Sequence, residues 1–173
     1  EEFSVRETPT ILFFHEVGDE HEIYKGQKLW EKIFQFGASK MQSFVRVINK
    51  DNYGDFITSN PSNHKVLLFT SKKTTPPLLK AISKHYQGKL YFGEVRQSES
   101  ELVQKFGITK IPTLIVLSEP ENYKGVVYEG ALNRDGIEKF INKYAYETIK
   151  QEVKSSGVKE LTKELYKTEC NQN

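Results

Sequence analysis

The sequence predicts an α/β protein with a mixed central sheet flanked by helices, and three observations carry that expectation. Lys65-Val-Leu-Leu-Phe-Thr70 is a continuous apolar run of the kind found in central strands covered on both faces. Runs like it alternate with amphipathic helical stripes, which is the order of parallel strands joined by crossover helices. Near the end, two strands are separated only by a polar loop at 119–125, and such a hairpin adds antiparallel pairing at one edge.

A complete unit reads over 43–154. Ser43 to Ile48 alternates and starts it as a strand, and Asn49 is placed to cap a short helix carrying Tyr53, Phe56 and Ile57. After the polar turn Asn60–Asn63 comes the 65–70 strand. Thr75 is then a candidate cap, with Pro76 at the first helical position, where a missing N–H costs nothing. Leu78, Leu79, Ile82 and Tyr86 give that helix its apolar face, and Gly88 ends it. Leu90 to Val95 is the next strand. Ser98 and Glu101 have capping-box spacing for a helix with Leu102, Val103 and Phe106. Pro112 belongs at a strand entrance because it cannot donate to a ladder, so Thr113–Leu117 is the following strand. Val126–Glu129 is its hairpin partner. Ile137, Phe140, Ile141, Tyr144 and Ala145 then form the stripe of a last helix.

Phe106-Gly-Ile-Thr-Lys-Ile-Pro-Thr-Leu-Ile-Val-Leu117 resembles the cis-proline segment of the thioredoxin fold, and Ile111–Pro112 is a candidate cis peptide. The β-α-β-α-β-α-β-β-α order matches the thioredoxin topology as well. The resemblance implies a thioredoxin-like fold, and in redox-active members a Cys-x-x-Cys sits between the second strand and second helix. There a helix N-terminus lowers the thiol pKa. Here that junction reads Thr70-Ser-Lys-Lys-Thr-Thr-Pro-Pro77, without cysteine and several residues short. The buried acid of active relatives is also missing from the central strand, where Phe69 stands near its place. This unit is therefore expected to lack Cys-x-x-Cys chemistry, with no catalytic residue. In the family, the backbone beside the cis-proline pairs with extended substrate. By that resemblance Lys110, Ile111, Pro112 and Thr113 are candidate substrate-binding residues, joined by Thr8 and Pro9 at an earlier Pro-strand corner.

That earlier corner opens residues 1–42: Ile11–Phe14, a turn at Gly18-Asp19, Glu22–Lys25, Gly26, and a helix with Leu29, Trp30, Ile33 and Phe36 on one face. The order repeats the one after Pro112 and resembles the C-terminal half of a thioredoxin-like unit. Residues 155–173 read as a Ser-Ser-Gly linker and the possible start of a further unit. The layout resembles the protein disulfide isomerase family, in which redox-inactive domains accompany active ones. Asn49–Tyr53, Lys65–Phe69 and Pro76–Leu79 also resemble DnaJ-type co-chaperones of the endoplasmic reticulum that carry thioredoxin-like repeats.

These resemblances imply a non-catalytic module of a protein-folding factor in the endoplasmic reticulum lumen. Its expected partners are unfolded or partly folded polypeptides and other domains of a longer parent chain. The enzyme alternative places a Cys-x-x-Cys upstream of residue 1, with Pro9 as that site's cis-proline. A calsequestrin-like calcium store, a third thioredoxin-repeat design, needs an acidic surface, and a pI near 8.5 argues against it.

Composition narrows the rest. With 25 Lys and Arg offset by 23 acids, the net charge of +2 argues against nucleic acid as the partner. The sequence has no apolar run of membrane-spanning length, so no membrane insertion by this segment is expected. The four histidines, His15, His21, His64 and His85, have no ligand spacing, so neither metal nor cofactor is expected. Ser71, Thr74 and Thr75 lack an adjacent His–acid pair, and the single Cys170 cannot form an intrachain disulfide. Lys72 and Lys73 read as a solvated loop, with anion attraction at the following helix as the alternative.

Overall fold

The structure, a computed structural model, describes residues 3, 5, 7–14 and 20–155. The turn expected at Gly18-Asp19, Cys170 and all but Ser155 of the tail expected over 155–173 lie outside the described residues. The chain divides into two compact units, Glu1–Gln42 and Ser43–Asn173.

In the first unit, β1 (Leu12–Phe14) pairs antiparallel with β2 (His21–Ile23), Leu12 opposite Ile23, and α1 (Trp30–Lys40) follows. Tyr24 is its buried anchor: the ring lies 5.0 Å from Phe36 and the hydroxyl donates to the Gln27 carbonyl at 2.8 Å. Phe13 meets Phe36 edge-on. The helix has no fully buried residue. The expected single apolar face divides, because at 3.6 residues per turn Trp30 lies about 120° around the helix from Phe36. Ile33 and Phe36 are half-covered, whereas Trp30 is 72% and Phe34 56% exposed.

The second unit runs β3 (Val45–Ile48), α2 (Tyr53–Thr58), β4 (Lys65–Thr70), α3 (Pro77–His85), β5 (Tyr91–Arg96), α4 (Ser100–Lys105), β6 (Thr113–Glu119), a 3-10 turn at Pro120–Asn122, β7 (Lys124–Val127) and α5 (Arg134–Ser155). The strands lie in the order β3-β5-β4-β6-β7. The crossovers through α2 and α3 make β3, β5 and β4 parallel, and β6 and β7 join antiparallel. Every residue of β4 is buried, as a central strand with helices on both faces requires.

Alternation along the strands sends side chains to two cores. On one face Val66, Leu68, Phe92, Leu114 and Val116 pack with Leu79 and Ile82 of α3 and Ile137, Ile141 and Ala145 of α5. On the other, Ile48, Leu67, Phe69, Val95, Ile115 and Leu117 pack with Tyr53 and Phe56 of α2 and Leu102 of α4. Gly93 keeps this second layer tight: a Cβ there would stand 2.7 Å from both Ile48 and Leu67.

Local chemistry explains most helix ends, with two corrections. The Asn49 carboxamide accepts the N–H groups of Asp51 and Asn52 at 3.0 and 2.9 Å, and Asn52 returns a bond to the Asn49 N–H, so this pair forms the entry to α2. Gly88 and Gly107 follow α3 and α4 at φ +79° and +62°, the left-handed region that glycine enters freely. The expected Ser98–Glu101 capping box does not form. Helix α4 starts at Ser100, and Glu101 instead pairs with Lys105 one turn on, at 2.8 Å. Thr75 caps nothing either, for the reason given next.

Candidate functional site

The site where thioredoxin-like proteins carry their chemistry lies between the end of β4, the start of α3 and the corner that leads into β6. In this chain the first of these elements is held by a buried ion pair. Alternation on β5 puts Phe92, Glu94 and Arg96 on one face, and Phe92 is core, so Glu94 is drawn inside and is 0% exposed. Its Oε1 accepts the Arg96 guanidinium at 2.5 Å and the Thr75 hydroxyl at 2.8 Å, while Oε2 has no hydrogen-bond partner among the described residues. Arg96 donates a second bond to the Lys72 carbonyl, and the Lys72 N–H donates to Thr70 Oγ1 at 3.1 Å. The Thr75 hydroxyl is thus spent on the carboxylate, not on a helix N–H. The loop 71–76 is stapled to β5 at both ends of its span.

This network was not anticipated. The sequence carries a signal for it: Glu and Arg two apart on an apolar strand share a face and can neutralise each other in the core. The central strand itself has Phe69, not an acid, at 0% exposure. Pro76 and Pro77 remove two of the N–H groups that a helix start would offer an anion. With no thiol in the loop, and with the carboxylate enclosed and bonded, the junction holds a geometry and carries no dithiol. Among the described residues no three His, Cys, Asp or Glu gather as a metal site, and no helix is long and apolar enough to cross a membrane.

The opposite wall is the corner at 107–113, where the Ile111–Pro112 bond is cis. A groove of about 550 Å³ opens between this corner, the 71–76 loop and α4, lined by Ser71, Gln97, Gln104, Ile108 and Ile111 among others, and none of its lining residues is charged. A second groove of about 330 Å³ lies on the far side of the corner, where Lys110, Pro112 and Thr113 meet Val127 and Tyr128 at the end of β7. The four sequence candidates here thus divide: Ile111 faces one groove and Lys110, Pro112 and Thr113 face the other. Pro112 and Lys110 are exposed, Ile111 and Thr113 half-buried, and the Thr113 hydroxyl donates to the Lys110 carbonyl. Beside them β7 is an edge strand, with Val126 and Val127 41% and 48% exposed. Thr8 and Pro9 lie in the first unit, both exposed, with the Thr8–Pro9 bond also cis.

A buried lysine lies elsewhere in the domain. Lys65 Nζ donates to the carbonyls of Asn60 and Asn63, both at 2.7 Å, and stands 5.2 Å from the centre of the Tyr91 ring. Burial lowers its pKa from the ordinary lysine value to about 8. Burial, and secondarily the neighbouring Tyr123 and Glu121, raises the pKa of the Tyr53 hydroxyl well above the ordinary tyrosine range.

Comparison with known families agrees with this architecture. The family described as "A6-like, middle domain", a thioredoxin-like family, matches residues 39–149. The chain belongs to that family, and its fold is thioredoxin-like, with a mixed five-strand sheet and no Cys-x-x-Cys. A Dictyostelium discoideum protein titled "Putative protein disulfide-isomerase" is 31% identical over 150 residues, covering 83% of this chain. The chain spans 36% of that relative's length. Thioredoxin NaTrxh from Nicotiana alata is 24% identical as a solved structure, with a TM-score of 0.46, and the match covers 59% of this chain and 93% of that one. The family match and the Dictyostelium relative together make this a thioredoxin-like domain related to protein disulfide-isomerase-like proteins.

Proposed function

We propose that this chain is a non-catalytic thioredoxin-like module of an endoplasmic-reticulum protein-folding factor, and that it binds or orients unfolded polypeptides. The observation that carries the proposal is the pair of grooves flanking the 107–113 corner, opposite a loop that has no thiol and is stapled by Glu94 and Arg96. In the groove beside the 71–76 loop, the uncharged amide- and hydroxyl-bearing lining suits extended peptide backbone, and Ile108 and Ile111 offer apolar contact. The adjacent edge strand adds unpaired ladder positions, the usual basis of strand addition.

Two assays on the purified chain test this. It should not accelerate reduction of insulin disulfides, and it should bind a reduced, carboxymethylated unfolded polypeptide in fluorescence anisotropy. Ile111→Ser should weaken that binding about tenfold, the size expected from losing one apolar contact of 1–2 kcal/mol. Binding that ignores Ile111 would leave a spacer role instead.

A second reading has its own support. The Dictyostelium relative's title and its greater length favour a parent protein that is itself a disulfide isomerase, with a thiol pair outside this chain and Pro9 beside it. Paired cysteines in the native polypeptide ahead of Thr8-Pro9, and insulin reduction by that polypeptide, would favour this reading. Their absence would end it.

A further inference from the structure

The two units repeat one another residue by residue. Tyr24 and Tyr128 each stand six residues before the first residue of a helix, Trp30 and Arg134, and each donates its hydroxyl to the carbonyl three residues on, at 2.8 and 2.9 Å. In both cases the glycine two residues after the tyrosine is enforced: a Cβ on Gly26 or Gly130 would stand 2.4 or 2.3 Å from the tyrosine oxygen. The Tyr24 N–H donates to the Ile11 carbonyl and the Tyr128 N–H to the Leu114 carbonyl, two residues past Pro9 and Pro112 respectively, at 2.9 and 2.8 Å. Leu29 and Asn133 bond back to Gln27 and Ala131, at 2.8 and 2.7 Å. Finally, Tyr24 meets Phe36 at 5.0 Å as Tyr128 meets Phe140 at 5.1 Å, twelve residues on in both units.

The covering differs. In the second unit β6 lies between β4 and β7, and Leu114–Leu117 are at most 4% exposed. The counterpart of Leu117 is Phe14, 47% exposed, on a strand that among the described residues pairs only with β2. Ile137 is 3% exposed against α3, while its counterpart Ile33 is only half-covered. The positions of the Arg134–Glu138 ion pair hold Trp30 and Phe34, the two most exposed aromatics of the first unit.

We infer that residues 1–42 are the C-terminal half of a second thioredoxin-like unit, whose open face receives a strand–helix segment equivalent to β4–α3 from an earlier part of the same polypeptide. The equivalence defines the segment's chemistry. Its strand is apolar on both faces, as Val66–Phe69 are, because it lies beside β1. Its helix is apolar on the face opposite Ile33 and Phe34. A second copy of this chain does not supply such a segment readily, since its own β4 is already paired on both edges, with β5 and β6.

Hydrogen exchange distinguishes the occupants. The 173-residue chain and the full native polypeptide are compared at the amides of Leu12–Phe14 and Ile33–Gly37, with β4 as the internal reference. In the 173-residue chain these amides should exchange at least about 100-fold faster than those of β4, and in the native polypeptide they should gain protection of about 100-fold, as folded cores do. Ile33→Asp should abolish that gain without altering β4. Equal exchange in both proteins overturns the inference, as does a native polypeptide with no preceding segment. Full protection in the 173-residue chain also overturns it, assigning the face to a second copy if protection falls on dilution and to this chain's own residues if it does not.

Discussion

Removing Arg96 should damage this protein far more than removing the acid it neutralises. In Arg96→Met, Glu94 stays at 0% exposure with the Thr75 hydroxyl as its remaining donor, so a nearly uncompensated charge is left in the core. Breaking a buried pair in this direction costs about 3–4 kcal/mol. In Glu94→Met the Arg96 side chain, already 19% exposed, can turn its charge to water, and the orphaned Oε2 disappears with the carboxylate. What remains lost is chiefly the Thr75 bond and the staple, about 1 kcal/mol net. The double variant should then resemble Glu94→Met, giving a coupling of about 3–4 kcal/mol. Urea unfolding of the four proteins, followed by far-ultraviolet circular dichroism, reads each value directly. Equal costs for the two single variants, or additivity in the double, would refute the claim that the loop is held by a buried pair.

Three further outcomes follow from the packing. Gly93→Ala places a methyl 2.7 Å from Ile48 and Leu67 and should cost about 1–3 kcal/mol in the same urea assay, whereas Gly37→Ala, with nothing within 4 Å of the new Cβ, should not destabilise. Lys65 gives a pH signature: its folded pKa of about 8 lies below the ordinary value, so above pH 8 the unfolded chain holds the extra proton and stability should rise toward pH 10.5. That rise, about 3 kcal/mol at most, should be absent from Lys65→Met, and a wild type as flat as the variant would contradict it. Tyr128→Phe should cost about 1 kcal/mol through the lost bond to Ala131, and Gly130→Ala more, since its Cβ would collide with the Tyr128 ring.

How far the sequence carried depended on which forces were local. The 65–70 run, the Pro112 corner and the stripe of α5 are written in period and in proline placement, so the fold and the corner were legible. Capping is not so local. Ser98-x-x-Glu101 has capping-box spacing, but Glu101 gains more from Lys105 one turn away, and Thr75 gains more from a buried carboxylate on another strand. The burial of Glu94 is not a local property either, because its face of β5 is closed by α3 packing above it. The divided helix face of α1 has the same cause: Trp30 and Phe34 are left open by the described residues of 1–42.

The central claim, that the 107–113 corner is a polypeptide-binding surface, is tested most directly by titrating the isotope-labelled chain with a reduced, unfolded client peptide and following amide shifts. The account predicts shifts concentrated at Ser71, Gln104, Ile108 and Ile111, with smaller ones along Lys124–Val127. Shifts confined to other surfaces, or none at all over the titration, would contradict it.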